Sequence, residues 1–166
     1  KNTIKVFVLV ALTLAAMSVS AQVKLGHIET QKLIQAMPEW TAAQKTFEEE
    51  QKKVNTELNN LREQFQTKLA EYSEKMKTYS EAMRATTEEE LQGLQQRIQR
   101  FQETAMAQLE KTQNDLMQPV MEKALNAIKE VGKENGFTYI FDMNAGILYA
   151  AENSQDVLPL VKKKLG

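Results

Sequence analysis

Residues 54–83 have the sequence VNTELNNLREQFQTKLAEYSEKMKTYSEAM, and residues 91–120 have the sequence LQGLQQRIQRFQETAMAQLEKTQNDLMQPV. In both stretches an apolar residue recurs at most steps of three or four residues, which is the spacing of one face of an α-helix. From residue 39 to residue 131 the types Glu, Gln, Lys, Leu, Ala and Met dominate, and these types favour long helices. The face of the first stretch is formed by Val54, Leu58, Leu61, Phe65, Leu69, Tyr72, Met76, Tyr79 and Met83. The face of the second stretch is formed by Leu91, Leu94, Ile98, Phe101, Ala105, Leu109, Thr112, Leu116 and Val120.

The two faces together predict an antiparallel helical hairpin. When the chain folds back near residue 87, the residue numbers of facing positions add up to 173 or 174, as for Tyr72 with Phe101. Residues 87–90 (Thr-Glu-Glu-Glu) form a capping box with acidic residues at the positive end of a helix, so the bend is predicted there. Two regular faces can align in more than one register, so the constant sum supports the hairpin without proving it. Pro119 is predicted to break the returning helix near its base.

Short elements are predicted on both sides of this hairpin. Residues 23–28 are expected to form a strand with Val23, Leu25 and His27 on one face, and residues 29–37 a short helix that ends at Pro38. Residues 137–141 are aromatic and β-branched and predict a strand, and residues 143–146 predict a turn. A second strand is predicted at residues 147–151, and a final helix, capped from residues 153–156, is expected to reach Leu165.

The predicted fold class is therefore mainly α with a small β body. A long antiparallel helical hairpin, or coiled-coil arm, spans residues 41–132 with its tip near residue 87. Residues 22–40 and 133–166 form a small strand-based oligomerisation domain. About 18 strand residues are too few for a stable core, and their edges need partners, so other subunits are expected to complete it. The residues expected to carry oligomerisation are Leu25, Ile28, Phe137, Tyr139, Phe141, Ile147 and Tyr149, with Phe137, Tyr139 and Phe141 on one strand face.

The N-terminal residues are typical of a secretory signal. Lys1 and Lys5 give a positive start, and residues 6–16 form an apolar run of about ten residues, too short for an ordinary membrane span. Residues 19–21 (Val-Ser-Ala) fit the small-x-small rule of signal peptidase, so cleavage is predicted after Ala21. The alternative is an uncleaved membrane anchor, which the short apolar run disfavours.

Composition excludes several functional classes. The whole chain has a formal net charge of −1, and residues 22–166 hold 19 basic and 22 acidic residues, which gives no sign of nucleic-acid binding. Cysteine is absent, so neither disulfides nor thiolate chemistry is available. The one histidine, His27, lies in a predicted strand, where a structural role is expected. With no phosphate loop or nucleophile motif, no catalytic, cofactor-binding or metal site is predicted, and the protein is not expected to be an enzyme.

Three local motifs carry a family resemblance. They are residues 25–34 (LGHIETQKLI), the Gln118-Pro119-Val120 segment ahead of Ala127-Ile128-Lys129-Glu130-Val131, and the closing segments 137–142 (FTYIFD), 147–150 (ILYA) and 156–158 (DVL). In this order they resemble the Skp (OmpH-like) family of periplasmic chaperones. The resemblance implies a homotrimer in the periplasm, in which strands from three subunits form a small barrel and three hairpins surround a cavity. Unfolded outer-membrane proteins would be held there without ATP and without a cofactor.

Methionines are the expected client-binding residues. Five of the eight methionines lie in the predicted arm, and this flexible, polarizable side chain suits surfaces that meet varied partners. Met76 and Met83 could instead be residues of the helical seam, whereas Met106, Met117 and Met121 fall beside it. The client-binding candidates are Met76, Tyr79, Met83, Met106, Met117 and Met121.

One departure from the family pattern concerns charge. Familiar members of this family are basic with positive arm tips, whereas residues 41–132 here hold 13 basic and 16 acidic residues. Contact with lipopolysaccharide or an anionic membrane is therefore doubtful. The alternative function is a structural or adaptor coiled-coil protein of the cell envelope without chaperone activity.

Overall fold

The computed structural model describes residues 23–166. The predicted signal segment, with its cleavage after Ala21, lies outside the described residues. The elements are listed here in chain order with the labels used below. They are β1 (Leu25–Ile28), α1 (Thr30–Gln35), α2 (Pro38–Lys75), α3 (Glu81–Glu134), β2 (Tyr139–Asp142), β3 (Gln155–Asp156) and α4 (Leu158–Leu165). Among these residues, none of the helices is both long and apolar enough to cross a membrane.

The fold class is confirmed, because α2 and α3 form a long antiparallel hairpin beside a small sheet. Helix α2 has 38 residues and α3 has 54. At about 1.5 Å per residue, α2 alone is roughly 57 Å long. Three side-chain pairs join the two helices: Tyr72 donates to Glu88, Lys68 pairs with Glu90, and Lys123 pairs with Glu39. We call residues 38–134 the hairpin.

The tip of the hairpin lies at residues 76–80, so the prediction of a bend near residue 87 is wrong. Helix α2 ends at Lys75, and Ser80 caps α3 by accepting a hydrogen bond from the Met83 N–H at 3.3 Å. Thr87 lies inside α3, where its hydroxyl donates to the Met83 carbonyl at 2.8 Å.

The periodicity of the seam explains this error. The residue numbers of the three pairs that join the helices add up to 160, 158 and 162. These sums differ from the predicted value by about 14, which is two heptads. A shift of whole heptads leaves apolar positions facing apolar positions, so the seam alone cannot choose between the two registers. The turn at residues 76–80 and the Ser80 cap determine which of the two registers forms.

Pro38 and Pro119 both lie within helices. Pro38 is at the start of α2, where its missing N–H would have no partner within the helix. Helix α3 continues through Pro119 without interruption, so the predicted break there is wrong. Pro119 is an exposed residue in the middle of a long helix, and the turns on both sides keep their hydrogen bonds.

The sheet has three parallel strands in the order β2-β1-β3. In the β1–β2 register, Leu25 lies opposite Tyr139 and His27 lies opposite Phe141. The strand predicted at residues 147–151 is wrong, because these residues form no strand, and the two residues of β3 pair with β1 instead. Strand propensity is fulfilled only where a neighbouring strand supplies hydrogen bonds, and within this chain β3 and β2 occupy both edges of β1.

The hydrophobic core lies where the hairpin meets the sheet. It extends into α3 well before residue 133, where the predicted body began, because Val120, Ala124 and Val131 belong to it. Residue 136 is a glycine with a φ of 67°, a left-handed conformation that turns the chain from α3 toward β2. We call residues 23–43 and 116–166 the base. The buried core residues are Ile28, Leu33, Met37, Ala43, Val120, Ala124, Ala127, Val131, Val157 and Val161.

Candidate oligomerisation and client-binding surfaces

One face of the sheet is apolar and exposed. In β1 the side chains alternate, so that Ile28 is buried in the core while Leu25 is half exposed. Tyr139 and Phe141 of β2 lie on the same side as Leu25, and their rings stack with centroids 6.0 Å apart and planes 23° apart. Both aromatic residues are exposed. We call the surface formed by Leu25, Tyr139 and Phe141 the open face.

Two of the expected oligomerisation residues lie on the opposite side of the sheet. Ile28 is fully buried among residues of its own chain. The ring of Phe137 packs against the core beside Gly26, so it does not share a face with Tyr139 and Phe141 as the sequence predicted. The chain bends at residue 138, whose N–H donates to the Lys24 carbonyl at 2.8 Å, and β2 begins only after this bend.

The segment after β2 exposes further apolar residues. Leu148 is 99% exposed and Tyr149 is 80% exposed, whereas Ile147 is half buried. Large apolar side chains at such exposure are typical of an interaction site. The open face and this segment belong to the same small base.

Polar contacts fix the ends of the strands. The Nδ1 atom of His27 lies 2.8 Å from the hydroxyl of Ser154, which ties β1 to the loop before β3 and gives the histidine a structural role. Asp142 accepts hydrogen bonds from the Thr30 N–H at 3.3 Å and from the Asn144 N–H at 3.0 Å. Burial raises the pKa of Asp142, but these hydrogen bonds outweigh it, so the pKa lies below its ordinary value.

Ion pairs hold the base of the hairpin and the last helix together. Lys164 of α4 contacts Glu134 at 2.6 Å and Glu130 at 3.1 Å on α3, and its hydrogen bonds to these carboxylates raise its pKa. The hydrogen bond from Lys123 lowers the pKa of Glu39, where α2 begins. All of these groups are partly exposed to solvent, so each pair stabilises the fold only slightly.

Four of the six client-binding candidates are exposed along the hairpin. Met76 lies in the tip and Met83 just after it, rather than in the middle of a seam, and Met106 on α3 is 75% exposed. Met121, on the part of α3 that belongs to the base, is also exposed. The other two are more enclosed: Met117 packs against the core, and Tyr79 is half buried beside Tyr72, with ring centroids 6.3 Å apart.

The tip is less acidic than the hairpin as a whole. Residues 74–84 hold three basic residues, Lys75, Lys77 and Arg84, and two acidic ones. The three glutamates that the sequence suggested for the tip, residues 88–90, lie within α3 instead. One of them accepts a hydrogen bond from Tyr72, and this contact raises the pKa of the phenol.

Two grooves run between α2 and α3, and sequence reasoning missed both because they depend on the helix register. One, of about 790 Å³, is bordered by apolar side chains together with uncharged amides and Glu103. The other, of about 860 Å³, is lined mostly by polar and charged residues and passes Gly93, where an added Cβ would meet nothing within 4 Å. The first groove is lined by Val54, Asn55, Leu58, Gln99, Phe101, Gln102, Glu103, Ala105, Met106 and Leu109.

Residues 23–166 contain no group of three or more histidine, cysteine or acidic side chains placed to hold a metal ion. The open face and the groove beside Phe101 are apolar, which suits contact with another polypeptide.

Comparison with known proteins places the chain in a family. The family described as "Outer membrane protein (OmpH-like)" matches residues 24–165. The chain belongs to the OmpH-like family. This confirms the resemblance found in the sequence motifs, and it supports a chaperone role. A comparison with curated proteins found no match.

Solved structures share the OmpH-like fold. One is the 2.83 Å crystal structure of a protein from Caulobacter crescentus CB15 that has been proposed to be an OmpH-like outer membrane chaperone. It matches with a TM-score of 0.76 over 85% of this chain and 82% of that chain, at 16% sequence identity. At this low sequence identity the similarity shows a shared fold and nothing about function. The shared fold agrees with the two long helices and the small sheet described above.

Proposed function

We propose that this protein is an ATP-independent holdase chaperone of the periplasm, which binds unfolded outer-membrane proteins and prevents their aggregation. The observation that carries the proposal is a long hairpin with exposed apolar side chains at intervals, in a member of the OmpH-like family. The predicted signal segment supports the location. Nucleic acid is not a proposed partner, because residues 22–166 are net acidic.

The working form in this proposal is a homotrimer assembled through the base. The open face and the exposed segment around Leu148 and Tyr149 are the surfaces that other subunits would cover. Leu25, Tyr139 and Phe141 would form the centre of the contact, with Ile147 at its margin. Ile28 and Phe137 would contribute indirectly, by supporting the sheet from the core side. In such a trimer the bases of three subunits would be joined, and the three hairpins that extend from them would surround a common space.

Client contact is proposed to be spread along the hairpin. The apolar groove bordered by Leu58 and Phe101 offers an apolar floor with amides beside it, and Met106 lies at its edge. Met76, Tyr79 and Met83 would contribute at the tip, and Met121 nearer the base. Many weak apolar contacts of this kind add up by multivalency, and flexible methionines adapt to different sequences.

The proposal is tested by shortening the hairpin in its observed register. Residues 62–98 are removed and Leu61 is joined to Gln99 through a short turn, because positions whose numbers add up to 160 face each other. Helix α2 becomes about 21 Å shorter, while the core at the base is untouched. Light scattering then follows the aggregation of a urea-unfolded outer-membrane barrel protein on dilution.

The expected result is an assembly of unchanged subunit number with much weaker suppression of aggregation. A point variant, Met106→Ser, serves as the control and is expected to hold almost as well as the parent, since one contact is worth about 1 kcal/mol. If the shortened protein protects the client as well as the full one, the part of the hairpin beyond Leu61 and Gln99 is not needed for holding, and the proposal that contact is spread along the whole hairpin is wrong. If neither protein protects the client, a structural or adaptor role in the envelope is the better account.

A further inference from the structure

Methionine is the only sulfur-containing residue type in this chain. The chain has eight methionines and no cysteine. Two-electron oxidants attack sulfur, and exposed thioethers are oxidised to sulfoxides. Because there is no thiolate to react first, an oxidant that reaches this protein meets the methionine side chains.

The structure divides the methionines by exposure. Met76, Met83, Met106 and Met121 are between 40% and 75% exposed, whereas Met37 is 3% exposed within the core. Among the described residues, six large apolar side chains of the hairpin are exposed, and four of the six are methionines; the other two are Leu69 and Leu125. Outside the hairpin, the six exposed large apolar residues are Val23, Leu25, Tyr139, Phe141, Leu148 and Tyr149, and none is a methionine.

We propose that Met76, Met83, Met106 and Met121 form an oxidation-sensitive surface, through which peroxide reversibly lowers the protein's capacity to hold clients. The inference rests on the proposed holdase function. In the reaction the thioether sulfur attacks one oxygen of hydrogen peroxide and an S–O bond forms. The peroxide O–O bond breaks, the second oxygen leaves as water after proton transfer, and the sulfur loses two electrons to become a sulfoxide.

Oxidation at these four positions leaves the fold intact, because none of the four belongs to the core. Each sulfoxide replaces a flexible apolar surface with a strong dipole, which a client's apolar side chain no longer stabilises by contact. Met83 and Met106 are 23 residues apart on α3, and Met106 and Met121 are 15 residues apart. At about 1.5 Å per residue these separations are roughly 35 Å and 22 Å, so the contacts are lost one by one and the response is graded.

The modification is reversible, because methionine sulfoxide reductases return the sulfoxide to the thioether. The implied partner is therefore an enzyme of that chemical class, which needs access to the sulfoxide. All four side chains are accessible on the hairpin surface of the described chain.

The experiment treats the full protein with hydrogen peroxide and compares it with a variant that combines Met76→Leu, Met83→Leu, Met106→Leu and Met121→Leu. Leucine keeps the surface apolar and removes the sulfur. Mass spectrometry of peptides measures the oxidation rate of each methionine, circular dichroism measures helix content, and light scattering measures suppression of aggregation. We expect the apparent client affinity of the treated parent to fall by about tenfold or more, with helix content unchanged, because four apolar contacts are lost and each contributes up to several-fold. The treated variant is expected to hold as it did before treatment.

Two results would overturn the proposal. One is oxidation of Met37 as fast as Met106; the other is an equal loss of holding by the treated variant. If the untreated protein holds no client, the proposed function fails by itself, and binding of an apolar fluorescent dye then decides the inference. Dye binding must fall on oxidation of the parent and stay constant in the variant, or the four methionines are not an oxidation-sensitive apolar surface.

Discussion

Gly26 occupies the most tightly packed position of β1, and replacing it by alanine is expected to destabilise the protein. An added Cβ would lie 2.9 Å from Cε1 of Phe137 and 3.0 Å from Cγ1 of Val157. Both neighbours are held in place: Val157 is fully buried in the core, and Lys24 lies over the Phe137 ring at 4.2 Å from its centroid.

The size of the effect follows from two opposing contributions. Overpacking a filled core site costs about 1–3 kcal/mol. Replacing glycine by alanine also restricts the unfolded chain, which stabilises the folded state by about 0.4–1 kcal/mol. The net expectation for Gly26→Ala is a free energy of unfolding about 1–2 kcal/mol lower than that of the parent.

Gly93→Ala is the matched control, because the same substitution should have the opposite sign there. Gly93 lies inside α3, and its added Cβ would meet nothing within 4 Å. Alanine in a helix interior is more favourable than glycine by about 1 kcal/mol, so this variant should be more stable than the parent.

The assay is urea unfolding followed by circular dichroism, at one fixed protein concentration because assembly affects apparent stability. Adding Phe137→Leu to Gly26→Ala should recover part of the loss, since the two side chains compete for the same space. An unchanged or higher stability of Gly26→Ala would refute the packing of β1 against Phe137 and Val157. A destabilised Gly93→Ala would mean that another chain fills the groove beside that glycine.

Three further predictions concern the tip, the strand ends and the assembly. Ser80→Ala should lower the free energy of unfolding by about 1 kcal/mol through loss of the α3 cap, whereas Thr87→Ala should not, and the reverse order in urea unfolding would favour a tip near residue 87. Because the pKa of Asp142 is lowered in the folded state, its carboxylate stabilises the fold at every pH above the ordinary aspartate pKa of about 4. This contribution is lost as the pH falls through the folded-state pKa. Asp142→Asn should therefore be less stable than the parent by about 1 kcal/mol near neutral pH and should match it in acid; a constant difference across urea unfolding curves from pH 3 to pH 7 would contradict the hydrogen bonds assigned to it. Phe141→Asp places a charge on the open face and should dissociate the proposed trimer, as measured by light scattering, because desolvating that charge in a contact costs several kcal/mol; an unchanged mass would mean that the open face stays in solvent.

Local patterns in the sequence were sufficient to predict most elements of the fold. The spacing of apolar residues predicted both helices of the hairpin, because a helical period of 3.6 residues is expressed within a few turns. The strands at Leu25–Ile28 and Tyr139–Asp142 were predicted within two residues at each end, and so was the final helix. The residue at the N-cap of that helix is Val157, and the Asp156 side chain just before it accepts a hydrogen bond from the Leu158 N–H at 2.8 Å.

Properties that depend on pairing were not predictable in this way. The bend was misplaced because the capping box at residues 87–90 is a stronger local signal than the single serine at residue 80, and the heptad pattern accepts both registers. Residues 147–151 have the composition of a strand but find no partner strand within the chain. The side on which Phe137 packs depends on the bend at residue 138, which no periodicity reveals. The exposed methionines could be proposed from the sequence, but their exposure follows only from the register.

The distribution of buried residues separates the part of the chain that stabilises the fold from the part proposed to hold clients. Of the 13 buried hydrophobic residues among the described ones, ten form the core of the base, and the hairpin between residues 44 and 115 contributes only Leu61, Leu91 and Ala105. A segment with so few buried contacts opens more easily than the core, and its helices stay formed because they continue from a packed base. Substitutions on the outer hairpin therefore change the surface offered to a client at little cost in stability. The surface proposed to hold clients can therefore vary or be modified in this arrangement while the base continues to fold.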